Sequence, residues 1–129
     1  MDDKTYASTV GETRAAAYFT KKGWFVYSNS TGKGPVDLII LKDGNLKKIE
    51  VNTASTNNPA GNPVVTLSKT RPNKKRNVTY KWSSYKHQVD WLFVYLFETD
   101  KCCIFDAQEV TCEWSMTISK KRLDFIEDI

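Results

Sequence analysis

Histidine, metal-binding cysteine patterns and long apolar runs are scarce or missing in this sequence. The 129 residues include one histidine, His87, and three cysteines, Cys102, Cys103 and Cys112. A single histidine excludes centres built from several histidines, and no serine or cysteine is evident as its catalytic partner. The odd number and the spacing of the cysteines predict free buried thiols in a reducing compartment rather than a zinc site.

No apolar run reaches the length of a transmembrane helix, and the first residues do not resemble a signal peptide. We therefore expect a cytoplasmic protein without membrane contact. The length and a hydrophobic content of 40% predict one globular domain over residues 1–129. Frequent lysine and asparagine hint at an AT-rich genome such as that of a phage.

Acidic residues are absent between Lys69 and Lys86, where cations are concentrated. This composition predicts an exposed, mobile loop that binds a polyanion, although most charge runs are only solvated faces. Tyr80, Trp82 and Tyr85 alternate with these cations and suit either stacking on bases or packing in the core. The cations of the segment are Lys69, Arg71, Lys74, Lys75, Arg76 and Lys81, followed by Lys86.

The order of the predicted elements is typical of a mixed α/β domain, with a central mixed sheet flanked by helices. A capping box at residues 9–12 predicts a helix over residues 13–22, which Gly23 ends, and an earlier start near Asp3 is the alternative. Strands are predicted near residues 24–28, 36–42, 46–53, 64–67, 90–97 and 102–105. Short helical turns are expected at 83–88 and 107–110, and a last helix, with Leu123 and Ile126 inward, at 119–129.

The segment from Pro35 to Asn52 predicts a β-hairpin around Asp43-Gly44, a dipeptide typical of tight two-residue turns. Pairing outward from such a turn places Asp37 directly opposite Glu50 on one face of the sheet. Like charges in this position are unfavourable unless a cation lies between them. Two carboxylates, with the backbone carbonyl of Val51 nearby, suit Mg²⁺, with Mn²⁺ as a substitute.

Each of these acidic residues also has a structural interpretation. Glu12, which lies early in the first helix, is consistent with a third acid of the site and with the glutamate of a capping box. Asp37 suits the start of a strand, and Glu50 suits a surface ion pair with Lys48 or Lys33. The hairpin arithmetic favours the metal site, because it places Asp37 beside Glu50 without a further assumption. A one-residue bulge would separate them.

Four segments together resemble the PD-(D/E)XK nuclease superfamily. They are Gly11-Glu12, Gly23-Trp24-Phe25-Val26, Gly34-Pro35-Val36-Asp37-Leu38-Ile39 and Ile49-Glu50-Val51-Asn52-Thr53. The pattern is most similar to Holliday junction resolvases and to the small homing endonucleases of group I introns. The later segment from Tyr85 to Lys101 resembles the homing branch more, and the likeness covers residues 9–110.

This resemblance implies a restriction-endonuclease-like core with a four-stranded mixed sheet, Mg²⁺-dependent cleavage of DNA, and a homodimer or a higher homo-oligomer. It implies that Asp37, Glu50 and the Val51 carbonyl bind the metal and that Glu12 assists them. Catalysis would then depend on Glu12, Asp37, Glu50 and Asn52. The residues expected to contact DNA are Lys33, Lys69, Arg71, Lys74, Lys75, Arg76, Lys81 and Lys86.

One position departs from the family pattern, because Asn52 stands where the family has lysine. Asparagine forms hydrogen bonds but carries no charge. Three explanations are open: the chain is active with Asn52, another lysine (Lys33, Lys48 or one of the basic segment) supplies the charge, or the chain is inactive, by nature or by an engineered change. The leading hypothesis is a metal-dependent DNA endonuclease. The rivals are a non-catalytic DNA-binding protein on a nuclease scaffold and, with less support, an RNA-processing nuclease.

Overall fold

The computed structural model describes residues 1–119 and 126–128, leaving aside the side chains of residues 72, 73, 126 and 128. The strands are β1 (Phe25–Ser28), β2 (Leu38–Lys42), β3 (Asn45–Ala54), β4 (Thr56–Asn57), β5 (Pro63–Thr66), β6 (Lys69–Asn73), β7 (Arg76–Tyr80), β8 (Trp91–Leu96), β9 (Lys101–Asp106), β10 (Ser115–Thr117) and β11 (Ile126–Asp128). The helix α1 spans Asp3–Lys21, and three short 3-10 turns span Trp82–Ser84, Lys86–Gln88 and Ala107–Glu109.

The helix α1 begins at Asp3, which confirms the earlier of the two predicted starts and not the start at residue 13. Asp2 is its N-cap, and the Asp2 side chain accepts the N–H of Thr5 at 2.7 Å. The predicted capping box is therefore wrong, because Thr9 lies inside the helix and donates its hydroxyl to the carbonyl of Thr5. The predicted stop is confirmed, since Gly23 adopts a φ of 91° just past the helix end.

The central sheet is mixed, as predicted, and has six strands in the order β1-β2-β3-β8-β9-β11. All neighbours are antiparallel except β3 and β8, which run parallel. The four strands expected from the family pattern are thus extended by further pairing at the edges. Of the predicted flanking helices, the described residues contain α1, which packs against β3 and β8.

The hairpin around Asp43 and Gly44 has the predicted register, from Lys42 opposite Asn45 to Leu38 opposite Ile49. Both turn residues have positive φ, 52° and 79°, as a two-residue hairpin loop of this type requires. The sequence therefore fixes the relative position of β2 and β3 through a local turn.

Two apolar cores lie on opposite faces of the sheet. On one face, α1 contributes Ala15, Tyr18 and Phe19, which pack with alternate residues of the strands. On the other face, the 3-10 turns and a small sheet of β10, β5 and β4 cover β3, β8 and β9, with Trp82 fully buried. Because successive side chains of a strand alternate, Ile49 and Val51 face α1 while Glu50 and Asn52 face the second layer.

The basic segment is a two-stranded ribbon of β6 and β7 rather than the predicted mobile loop. Asn73 pairs with Arg76, so Lys74 and Lys75 form a two-residue turn, and Lys74 takes a positive φ of 56°. Alternating β-formers and cations on both sides of this turn favour a hairpin, and the charge density obscured that pattern in the sequence.

The predicted C-terminal helix is wrong where the structure describes the chain, because Ile126–Asp128 is a strand paired with β9. The residues between, with Leu123, lie outside the described residues. Within the described ranges, no helix is both long enough and apolar enough to cross a membrane. Cys102, Cys103 and Cys112 are free of disulfides, and the first two are buried.

Candidate active site

Asp37 lies one residue before β2, where the chain enters that strand. Its N–H donates to the Ile49 carbonyl at 2.8 Å, and its carbonyl accepts the N–H of Asn29. Its carboxylate Oδ2 accepts the N–H of Val51 at 2.7 Å. The ladder thus ends one pair short of the predicted Asp37–Glu50 pairing, because the Asp37 backbone bonds to other partners.

Glu50 is fully buried on β3, with 0% of its surface exposed. Its oxygens lack a hydrogen bond of ordinary geometry within the described residues, and Lys69 forms an ion pair with Oε1. Burial raises the pKa of Glu50 to about 7; the ammonium of Lys69 opposes this rise, and the charge of Asp37 adds to it. The alternative of a surface ion pair with Lys48 or Lys33 is wrong.

Asn52 points to the same face as Glu50 and is 8% exposed. Its Oδ1 accepts a hydrogen bond from Lys69 Nζ at 3.2 Å, and its buried Nδ2 has no partner among the described residues. One ammonium group thus lies against both Glu50 and Asn52. Lys69 was expected among the DNA contacts, and the structure places it inside the acidic site.

The Val51 carbonyl lies at the open end of the β2–β3 ladder. The N–H of Val51 is directed to Asp37, and the N–H and C=O of a strand residue point to the same edge. Since β2 begins only at Leu38, this edge of β3 has no further ladder partner from β2. The Val51 carbonyl therefore lies on the same edge of β3 as the N–H that donates to the Asp37 carboxylate.

Glu12 lies on α1 with an exposed side chain. Partial desolvation raises its pKa, the charge of Asp37 adds to this rise, and the ammonium of Lys69 opposes it. These electrostatic effects place Glu12 at the border of the site, outside the buried pair. Desolvation likewise raises the pKa of Asp37, whereas the hydrogen bond from Val51 lowers it.

The donor set fits a hard divalent cation held by few protein ligands. Within the described part of the chain, no three side chains of histidine, cysteine, aspartate or glutamate converge on one point. Mg²⁺ does not need three, because it retains several waters and takes phosphate oxygens as ligands. Glu50 offers two oxygens without ordinary hydrogen bonds, beside the carboxylate of Asp37 and the edge carbonyl of Val51.

A cavity of about 320 Å³ opens beside Lys69, between the ribbon, the loop before β2 and the 3-10 turns. Arg71 lines this cavity, and its positive charge lowers the pKa values of Asp37 and Glu50 against the larger effect of burial. The remaining lining residues are Gly34, Pro35, Lys69, Tyr80, Ser84, Tyr85 and Gln88.

The other predicted DNA contacts lie in two kinds of environment. Lys33, Lys74, Lys75 and Arg76 have exposed side chains. Lys81 forms an ion pair with Glu113 at 3.5 Å.

Lys86 donates to the carbonyls of Gln108 and Val110, both at 3.5 Å. Among the aromatic residues of the segment, Trp82 and Tyr85 belong to the core, whereas Tyr80 is 40% exposed.

Comparisons with known proteins identify a family and a shared fold. A family profile described as PD-(D/E)XK endonuclease matches residues 1–124. Protein 5.3 of Escherichia phage T7 is 34% identical over 56 residues, which are 43% of this chain and 48% of that protein. The matched segment therefore spans about half the length of this curated relative.

A solved structure of a bacterial homing endonuclease, I-Ssp6803I, has the same fold with a TM-score of 0.76. The superposition covers 92% of this chain and 80% of that chain, at 20% sequence identity.

Proposed function

Because the chain belongs to the PD-(D/E)XK endonuclease family, we propose that it is a Mg²⁺-dependent endonuclease that hydrolyses phosphodiester bonds in DNA. The observation that carries this proposal is the buried Glu50 carboxylate beside Asp37, at the open end of the β2–β3 ladder. A buried acid without ordinary hydrogen bonds is costly and is typical of a site that binds a cation.

Asp37, Glu50 and the Val51 carbonyl are the proposed metal ligands. The bound ion would supply Lewis acidity toward a phosphate oxygen and toward the attacking water. The protein fixes the ligands in advance, since the Val51 N–H holds the Asp37 carboxylate and the core holds the Glu50 side chain. Glu12, at the border of the site, assists from α1.

The β6–β7 ribbon is the proposed DNA contact. Lys69, Arg71 and Arg76 occupy alternate or paired positions, which places them on one face of the ribbon. Lys74 and Lys75 extend from its turn. A row of cations that leads into the acidic site neutralises backbone phosphates and brings one phosphate to the metal ligands. Lys33, Lys81 and Lys86 would contribute at the periphery.

A homodimer is the proposed assembly, because each chain carries one site and duplex DNA has two strands. Exposed Phe25 and Tyr27 on the edge strand β1 and Leu46 on β3 lie on one face of the sheet and support a protein contact there. The proposed setting is the cytoplasm of a cell that carries a phage or an intron, as the similarity to a phage protein suggests.

The alternative is a DNA-binding protein without catalytic activity on the same scaffold. The uncharged Asn52 favours it, since a lysine is expected there. This alternative predicts salt-sensitive DNA binding in the absence of divalent ions and no cleavage with any of them.

Plasmid cleavage tests the proposed function. We expect the protein to convert supercoiled plasmid to nicked or linear forms with Mg²⁺ or Mn²⁺, and not in EDTA. Asp37→Asn, which keeps the acceptor for Val51 N–H, should reduce the rate by roughly a hundredfold or more. Calorimetry should show that it loses divalent-ion binding while DNA affinity in EDTA is retained. Asp3→Asn, an exposed change at the start of α1, is the matched control.

The proposal is contradicted if neither the protein nor its Asn52→Lys variant cleaves DNA with either ion.

A further inference from the structure

We propose that Lys69 is the catalytic cation of this site and takes the place of the lysine missing at position 52. This inference rests on the proposed nuclease function. Its basis is a double contact: Lys69 Nζ forms an ion pair with Glu50 Oε1 and donates to Asn52 Oδ1 at 3.2 Å.

The position of Lys69 is specific. It is the first residue of β6, and its side chain is 24% exposed, whereas Glu50 is 0% exposed. Desolvation of an ammonium group is costly without close partners, and both partners of Lys69 belong to the site. By contrast, Lys74 and Lys75 at the ribbon turn are exposed. Lys69 therefore differs from the ribbon residues that can only bind backbone phosphates.

Asn52 is a positioning residue in this arrangement. Its carbonyl oxygen accepts the Lys69 ammonium, and it occupies the strand position from which a lysine would reach the same space. Two ammonium groups at this point would repel each other. The charge thus comes from β6 instead of β3, and the Asn52–Lys69 pair works as one unit that contacts the scissile phosphate.

The ion pair also predicts a competition. Lys69 lies on Oε1 of Glu50, and we expect it to give up this contact when a divalent ion binds the same carboxylate, because the two cations repel each other. After it leaves Oε1, the Lys69 ammonium remains within reach of Asn52 and of a phosphate oxygen of the DNA. Loss of the Lys69 charge should therefore tighten metal binding and slow cleavage. If Lys69 only supported the fold, its loss would weaken metal binding and slow cleavage together.

The first experiment measures single-turnover cleavage at saturating DNA. We expect Lys69→Met to reduce the rate constant by roughly a hundredfold or more, as for the loss of one transition-state contact. The double variant with Lys69→Met and Asn52→Lys should cleave at least about tenfold faster than Lys69→Met alone. Lys4→Met, on the exposed first turn of α1, is the control with unchanged rate. Lys69→Gln, which keeps hydrogen bonding without charge, replaces Lys69→Met if that variant does not fold.

The second experiment is a calorimetric titration with Mn²⁺ without DNA. Removal of the neighbouring positive charge should tighten Mn²⁺ binding by roughly tenfold in Lys69→Met. Unchanged or weaker Mn²⁺ binding would overturn the inference, as would cleavage by Lys69→Met within threefold of the unmodified protein. Cleavage by Asn52→Lys but not by the unmodified protein would overturn it while the nuclease function stands. Absence of cleavage from both would overturn the nuclease function itself.

Discussion

At the scale of single residues, the site is defined by the conflict between burial and charge. Glu50 lies inside the second core layer, and its pKa is raised to about 7 because water is excluded, although Lys69 is adjacent. The carboxylate of Asp37, just before β2, is held by the backbone N–H of Val51. The fold thus keeps an acid buried, at a cost in stability, in a position where it can bind a cation. This is typical of functional sites.

This conflict predicts a pH-dependent stability in EDTA. Because the folded protein holds the Glu50 proton more tightly than the unfolded chain, whose pKa is near 4.5, stability falls as pH rises from about 4.5 to 7. Glu50→Gln removes this contribution, so its stability relative to the unmodified protein should rise by roughly 2–3 kcal/mol between pH 5 and pH 8. Urea unfolding at both pH values measures the difference.

The exposed Glu109→Gln is the control and should follow the unmodified protein. Parallel stability profiles of the Glu50→Gln variant and the unmodified protein would show that Glu50 is ionised in the folded state throughout this range.

At the scale of elements, the β6–β7 ribbon connects the proposed DNA contact to the site. Its turn carries Lys74 and Lys75, and its first residue, Lys69, contacts Glu50. A two-stranded ribbon of this kind fits the groove of a duplex. In the proposed function, phosphates bound along the ribbon would bring the DNA backbone to the acidic residues.

Salt dependence tests the role of the ribbon. Lys74→Asn keeps a residue that tolerates the positive φ at this position, and Arg76→Gln keeps the strand. Each should weaken DNA binding in EDTA and reduce the slope of log K against log salt by about 1. Lys4→Ala on α1 should leave the slope unchanged, and fluorescence anisotropy over a salt series measures it. Unchanged slopes for both ribbon variants would place the DNA elsewhere.

The parts of the fold that local signals determine were predictable. Asp43-Gly44 specified a register that the structure confirms, and the apolar run of β8 indicated a central strand. Lys69 was predicted as a DNA contact and, as a lysine of the basic segment, as one of several that could supply the charge missing at position 52. The sequence did not single it out, because its approach to Glu50 depends on how β6 packs, over a sequence separation of 19 residues. The start of α1 was left open between residue 13 and Asp3, because Thr9 suits a cap and a helix interior equally well.

At the scale of the whole molecule, the two faces of the central sheet have different roles. The face that packs on α1 is a continuous apolar core, and the opposite face carries Glu50 and Asn52 beside the second layer. The site lies where β2 begins and β3 continues past it, and Lys69 connects the site to the cavity beside the ribbon. The same fold in a homing endonuclease, at 20% identity, shows that this architecture is kept while the sequence varies.

The central claim is that Asp37 and Glu50 share one divalent cation next to Lys69. Anomalous diffraction from crystals grown with Mn²⁺ tests it most directly. We expect one strong manganese peak, with an oxygen of Asp37, an oxygen of Glu50 and the Val51 carbonyl oxygen each about 2.0–2.2 Å from the ion. A structure in which the ion binds elsewhere, or in which Lys69 still occupies Glu50 at saturating Mn²⁺, would contradict it.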